Sequence, residues 1–293
     1  MKPITIFSLT ILLASASCRN GENLPDAYGN FEANEVIVSA LSKGEIRSFE
    51  PMEGTALKKG ELVAVIDSTQ LHLNLRQLKS GRASLRSRLV TLEAQMKAQK
   101  VQLDNLEREA ARLEKLFKGG AATEKQMEDL RGQIELVKAQ AEATESQKLS
   151  VYAEQDNLEI RILQAEDLIG HCLVTSPVDG VLLTKYRERG EVAAAGHPLF
   201  KVAPMEELIL RAYISGSQLS QVTSGSTVRV MIDGRDGLEE LKGEVSWISP
   251  QAEFTPKVIQ TREERVSLVY AMKVVVPNDG RLKIGMPGEV FFR

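Results

Sequence analysis

Cysteine, histidine and aromatic side chains are scarce in this sequence of 293 residues, with 2 Cys, 3 His and 5% aromatics. Each scarcity excludes a class of function. Two cysteines cannot build a disulfide framework or a four-thiolate zinc site. The histidines, His72, His171 and His197, stand in separate segments without metal-ligand spacing, and none has an acidic or thiol partner at a telling distance. Few aromatics means few platforms on which bases could stack. A formal net charge of -3, from 37 basic and 40 acidic residues mixed along the chain, gives no basic face, so nucleic acid is not an expected partner. There is no G-x-S-x-G, no phosphate loop and no Cys paired with a His, so neither catalysis nor a cofactor is expected. What the chain does have is hydrophobic content of 43%, enough for two or three domains that each bury a core.

The N-terminus reads MKPITIFSLTILLASASC, with one Lys, an apolar run from Ile4 to Ala14 and small residues up to Cys18. This is an export signal over residues 1–17, too short to remain as a spanning helix. Ser15, Ala16 and Ser17 before the cysteine resemble the cleavage box of bacterial lipoproteins. That resemblance implies a lipid on Cys18 and an anchor in the membrane. The usual Leu three residues before the cysteine is Ser15 here, so ordinary cleavage without a lipid stands as the alternative. Cys172, in the apolar run HCLVTSPV, reads as a small buried residue. No later stretch reaches the length of about 18 apolar residues that a membrane-crossing helix needs.

From Leu71, apolar residues recur at alternating spacings of four and three: Leu71, Leu75, Leu78, Leu85, Leu89, Leu92, Met96, Leu103, Leu106, Ala110, Leu113 and Phe117. Arg82 and Gln99 are the polar residues on that seam. A second run shares one heptad frame from Met127 through Leu130, Ile134, Val137, Val151, Leu158 and Ile162 to Ile169, with Thr144, Lys148 and Gln155 polar. Heptads sustained this long predict a coiled coil, and two runs of equal length joined by a few residues must fold back antiparallel.

The segments flanking this hairpin match each other. Residues 36–66, VIVSALSKGEIRSFEPMEGTALKKGELVAVI, align without a gap with residues 172–202, CLVTSPVDGVLLTKYRERGEVAAAGHPLFKV, at a displacement of 136. Gly44, Gly54 and Gly60 fall on Gly180, Gly190 and Gly196. Ile46 falls on Leu182 and Ile66 on Val202. A triple glycine coincidence predicts two copies of one β unit, and two such halves can pair as one small sandwich. From Glu207 onward, short β-like runs return between turn residues.

This order resembles the HlyD-type periplasmic adaptors, also called membrane fusion proteins, through the split repeat and the phrases VTSPVDGVLLTKYRERGEVAAAGHPLFKV and KGELVAVID. The resemblance implies an α+β fold, in which a lipoyl-like β-sandwich is interrupted by a long antiparallel coiled-coil hairpin and followed by a β-barrel. The expected divisions are signal peptide 1–17, lipidated linker 18–34, sandwich halves 35–67 and 170–203, hairpin 68–169 with its tip near 118–123, and barrel 204–293. Any membrane-proximal element is expected to be small or to come from residues 24–34. A lipoyl or biotinyl carrier needs a lysine in the turn between its halves, where this chain has about a hundred helical residues, so no swinging-arm cofactor is expected.

The resemblance further implies an inner-membrane exporter and an outer-membrane efflux duct as partners, self-association into a ring, most often a hexamer, and a periplasmic place in a Gram-negative envelope. The phrase AEFTPKVIQTREERVSLVYAMKVVV looks like the branch paired with ABC-type exporters. A proton-driven pump of the resistance-nodulation type is the alternative, and an envelope-tethering coiled-coil lipoprotein is a second.

At the tip, RLEKLFKGGAATEKQMEDL, Gly119 and Gly120 are expected to supply the positive φ that ends the first helix. Thr123 with Gln126 forms a capping box that starts the second, and Glu124 suits the positive end of that helix. Adaptors that dock on trimeric ducts carry Arg, then Leu four on, then Ser seven further. Arg112, Leu116 and Thr123 fall at those spacings, with Thr for Ser. The resemblance assigns Arg112 to polar contact with the duct, Leu116 to apolar contact and Thr123 to the cap and contact.

Overall fold

The computed structural model describes residues 24–235, 237–254 and 268–292; the expected signal peptide and Cys18 lie outside them. In chain order the elements are β1 (Ala27–Glu32), β2 (Val36–Ser39), β3 (Gly44–Phe49), β4 (Ala56–Leu57), β5 (Leu62–Ile66), α1 (Thr69–Lys118), α2 (Glu124–Gly170), β6 (Leu173–Thr175), β7 (Gly180–Lys185), β8 (Val192–Ala193) and β9 (Pro198–Ala203). Then follow β10 (Glu207–Ser215), β11 (Thr227–Gly234), β12 (Gly237–Ile248), β13 (Glu253–Phe254), β14 (Leu268–Pro277) and β15 (Pro287–Phe291). They form two compact units, one of Ile37–Val202 and one of the residues up to Val36 with those from Ala203.

In the first unit, two four-stranded sheets run β2-β9-β7-β4 and β6-β5-β3-β8. The 136-residue displacement converts one sheet into the other strand by strand, so each sheet takes two strands from each half of the repeat. The hydrogen bonds obey the same symmetry. Gly54 N donates to Leu182 O at 2.8 Å and Gly190 N to Ile46 O at 2.9 Å; Gly60 N donates to Ser176 O at 2.7 Å and Gly196 N to Ala40 O at 2.8 Å. These glycines turn the chain at matched positive φ, 89° and 90° for the first pair and 81° and 85° for the second. That backbone region disfavours any side chain with a Cβ, which is why the glycines coincide in sequence. Ile46, Ile66, Leu182 and Val202 close the shared core with no exposed surface.

Between the halves, α1 and α2 are 50 and 47 residues long, about 75 and 70 Å at 1.5 Å per residue. Leu89, Leu92, Met127, Leu130, Val137, Val151, Ile162 and Ala165 are buried along the seam. One polar layer interrupts it. Thr144 is buried, its hydroxyl donating to Gln140 O at 2.9 Å, while Gln99 Nε2 donates to Thr144 Oγ1 at 3.0 Å. Arg82 is not on the seam as its heptad place implied. It is exposed and paired with Glu159 at 3.1 Å, while its neighbour Gly81 faces Leu158, whose Cδ2 would lie 3.5 Å from a Cβ built there. A bulky leucine opposite favours the residue without a side chain and leaves the arginine to flank the contact.

The second unit closes on itself. Strand order β10-β1-β15-β11-β12-β14 returns to β10 through the β10–β14 pairing, making a six-stranded antiparallel barrel with β13 hydrogen-bonded to β14 at its side. Phe31, Leu208, Leu210, Val230, Val245, Met272, Val274 and Val290 fill the interior. Strand β1 corrects the reading of residues 18–34 as linker, because Ala27–Glu32 pairs with both β10 and β15. Ala27 and Phe31 point inward, and Gly29 allows a close approach that a side chain would forbid: a Cβ there would lie 2.0 Å from Arg211 O.

Candidate functional site: the hairpin tip

The tip is built by two interlocking caps. Helix α1 ends in a Schellman motif, with Ala121 N donating to Leu116 O at 2.9 Å and Gly120 N to Phe117 O at 3.0 Å. Gly120 alone takes the positive φ, 74°. Sequence reasoning assigns that role to both glycines, but Gly119 has φ -87° and ψ 1° and donates its N–H to Leu116 and Lys115 carbonyls. One left-handed residue suffices to reverse the chain out of a helix.

Helix α2 then begins with a reciprocal box. Thr123 N donates to Gln126 Oε1 at 2.9 Å and Gln126 N to Thr123 Oγ1 at 3.3 Å. Glu124 sits in the first turn, beside the free N–H groups. As an acceptor in the cap, the Thr123 hydroxyl keeps its own proton for a further partner.

Around this frame the docking candidates take different settings. Arg112 pairs with Glu109 one turn earlier at 2.6 Å, while its side chain stays 70% exposed. Glu114 accepts from Lys118 at 2.8 Å; that bond and the Lys118 charge, with the Arg131 charge from α2, hold the Glu114 carboxyl below its ordinary pKa. Leu116 is exposed to 44%, and so is Phe117, placed on the seam by the heptad count. Here the periodic reading overshoots. Met127, the first buried side chain of α2, stands near the level of Leu116, and the hairpin ends just beyond it, so Leu116 and Phe117 stay partly exposed at its open end. The signal was present in the spacing, since the α2 frame starts at Met127 and not in the turn.

The structure thus brings Arg112, Leu116, Gly119, Gly120 and Thr123 to one end of a rigid pair of helices. Phe117 is the member the sequence missed. Elsewhere, among the described residues, no group of three or more His, Cys, Asp and Glu side chains could hold a metal ion, and no helix is long and apolar enough to cross a membrane. His171 lies 3.6 Å from Asp167, and Cys172 is buried with its Sγ 3.6 Å from Leu168 O.

No family model matches the chain. It is 26% identical to a UPF0194 membrane protein of Citrobacter koseri, over all of this chain and 98% of the relative, and 28% identical to a UPF0194 membrane protein of Yersinia enterocolitica, over 90% and 88%. Among solved structures, MacA from Actinobacillus actinomycetemcomitans superposes with a TM-score of 0.61 at 24% identity, covering 90% of this chain and 76% of that one. The periplasmic adaptor protein EmrA gives 0.51 at 19%, covering 90% and 97%, and the membrane fusion protein Spr0693 from Streptococcus pneumoniae R6 gives 0.53 at 13%, covering 90% and 96%. Split sandwich, long helical hairpin and six-stranded barrel together are the fold of the membrane fusion, or periplasmic adaptor, proteins, and this chain carries it.

Proposed function

We propose that the protein is the periplasmic adaptor of a multi-component exporter, joining an inner-membrane transporter to an outer-membrane duct, with the hairpin tip seated on the duct. The observation that carries this reading is the tip itself. Two caps fix the turn at the end of a long coiled coil, yet leave Leu116 and Phe117 in water beside Arg112 and the Thr123 hydroxyl. Aromatic side chains and arginine are enriched in protein interfaces relative to the rest of the surface, and Phe117 with Arg112 supplies both here. Export and a lipid on Cys18 would hold the chain in the periplasm of a Gram-negative envelope, and copies would assemble as a ring, by resemblance a hexamer. The transporter supplies the energy, so the adaptor has no catalytic residue of its own. An ABC-type transporter is favoured over a proton-driven one by the phrase around residues 252–276, of which 255–267 lie outside the described residues.

The test is affinity capture of the full-length protein from cross-linked membranes, beside a variant carrying Arg112→Asp and Leu116→Ser. Transporter and duct should both co-purify with the unmutated chain, and the variant should lose the duct alone. If neither partner is captured by the unmutated chain, the tip is only a well-capped turn and the protein is a tethering lipoprotein.

A further inference from the structure

The barrel differs chemically between its two ends. Strand pairing brings the starts of β1, β11 and β14 to one end, together with the last residues of β10, β12 and β15. Four aromatic side chains stand on the outer face there: Tyr28 after the buried Ala27, Tyr213 between the buried Ala212 and Ile214, Trp247 one residue from the end of β12, and Phe291 after the buried Val290. At the other end the strands stop on or near Glu32, Glu207, Asp233 and Glu239. Phe31 is the one aromatic residue of the strands in that half, and it is buried in the core.

A cation lies against three of the outer rings. Lys273 Nζ is 5.4 Å from the Trp247 centroid, Arg229 Cζ 5.5 Å from that of Phe291 and Arg211 Cζ 5.9 Å from that of Tyr213, distances at which ring and cation attract. With Arg229 on β11 and Lys273 on β14, each of the six strands contributes to a ring around this end. Arg211 and Arg229 also hold Glu253 and Glu240, at 3.2 and 3.4 Å. Lys273 has no acidic partner among the described residues. Nor does the Trp247 N–H or the Tyr28 hydroxyl make a hydrogen bond there, and these side chains belong to residues 39% and 56% exposed. Rings with an apolar body and a free polar rim, set beside cations, are the side chains that settle at the headgroup level of a bilayer.

The chain that enters this end supplies the reason for a bilayer. Cys18 stands nine residues before Ala27, and nine residues reach at most about 30 Å when extended. A lipid on Cys18 would hold the aromatic end of the barrel within that distance of the membrane, and Leu24, 78% exposed, adds an apolar side chain to the connection.

We propose that this end of the barrel is a second membrane contact, in which Tyr28, Trp247 and Phe291 sit among phospholipid headgroups and Lys273 meets a lipid phosphate. The inference rests on the lipid anchor in the function proposed above and adds an orientation to it. An acyl chain limits how far the barrel can stand from the bilayer; a ring of interfacial side chains selects the end that faces it.

Trp247 is the only tryptophan in the sequence, so its emission reads this surface without a label. The chain purified from membranes as the cell processes it is mixed with vesicles of phosphatidylethanolamine and phosphatidylglycerol whose acyl chains carry bromine, which quenches indole on contact. Trp247 emission should shift to the blue and lose about half its intensity relative to vesicles without bromine. A chain carrying Tyr28→Ser, Phe291→Ser and Lys273→Glu should keep its melting transition and still float with the vesicles, yet lose most of the quenching; Lys273→Glu alone should reduce the quenching about twofold. A native chain that does not bind the vesicles, or binds them with Trp247 unquenched, overturns the proposal. So does a triple variant quenched like the native chain, or a Trp247 shielded only once a transporter is bound, which gives this surface to a protein. Quenching in a chain that captures neither transporter nor duct leaves the membrane contact standing and removes the adaptor reading; capture of both with Trp247 unquenched does the reverse.

Discussion

The polar layer at Gln99 offers a sharp test of how the hairpin is held together. Gln99 Nε2 donates to Thr144 Oγ1 at 3.0 Å and to Gln140 O at 3.3 Å, but Gln99 Oε1 is buried with no donor. An orphaned buried acceptor costs about 1–3 kcal/mol, while the lost hydrogen bonds are worth about 1 kcal/mol each. Replacing Gln99 with Leu removes both and adds up to about 1.5 kcal/mol of apolar burial. Thr144 keeps its own bond to Gln140 O. Gln99→Leu is therefore expected to stabilise the hairpin by about 1–2 kcal/mol, a rise in melting temperature of roughly 2–4 °C per kcal/mol for a unit of this size. Thr144→Val in the native background removes the shorter of the two bonds the Gln99 amide donates and should destabilise by about 1 kcal/mol, yet be near neutral in the Gln99→Leu background, so that the two changes couple. Arg82→Leu is the control: its exposed pair with Glu159 contributes at most about 1 kcal/mol. Urea unfolding followed by circular dichroism, with hydrogen exchange at residues 95–103 and 140–148, measures each of these chains. A Gln99→Leu hairpin no more stable than the native one refutes the reasoning, and with it the idea that this layer trades stability for register.

Three further outcomes follow from particular contacts. Thr123→Ala should lower protection of the amides at 124–127 by about 1 kcal/mol in hydrogen exchange, and Thr123→Ser should leave it within a few tenths. Gly29→Ala, whose methyl would collide with the Arg211 carbonyl, should destabilise the barrel by more than about 3 kcal/mol, read as loss of its cooperative melt while the hairpin's helical signal persists. The Asp67 carboxylate is held below its ordinary pKa by Thr69, through side-chain and backbone hydrogen bonds, and by Arg47. Its stabilising effect is thus present above the unfolded value of about 3.9 and is lost as pH falls through the lowered folded value. An Asp67→Asn chain should accordingly have a lower urea midpoint than the native chain at pH 7 and match it in strong acid.

Much of the architecture lies open in the sequence because it is written in local periodicities. Heptads from Leu71 and from Met127 dictate helices, the short connection dictates their reversal, and Thr123 with Gln126 dictates where α2 starts. A gapless 136-residue displacement reveals a duplicated β unit because a left-handed turn at Gly54 has to be repeated at Gly190. Partner choice is not local, and there the tertiary structure decides. Interleaving of the two halves into each sheet depends on which strands complete a shared core, and neither half states this alone. Ala27–Glu32 is too short to declare itself a strand until β10 and β15 offer it pairing on both sides. Whether Gly81 or Arg82 occupies the contact is settled by Leu158 across the hairpin. Phe117 obeys the heptad, yet stays 44% exposed because it lies at the open end of the hairpin, where α2 is only beginning at Glu124. Periodicity fixes which residues share a face; only the opposing element, with its own length and bulk, decides whether that face is covered.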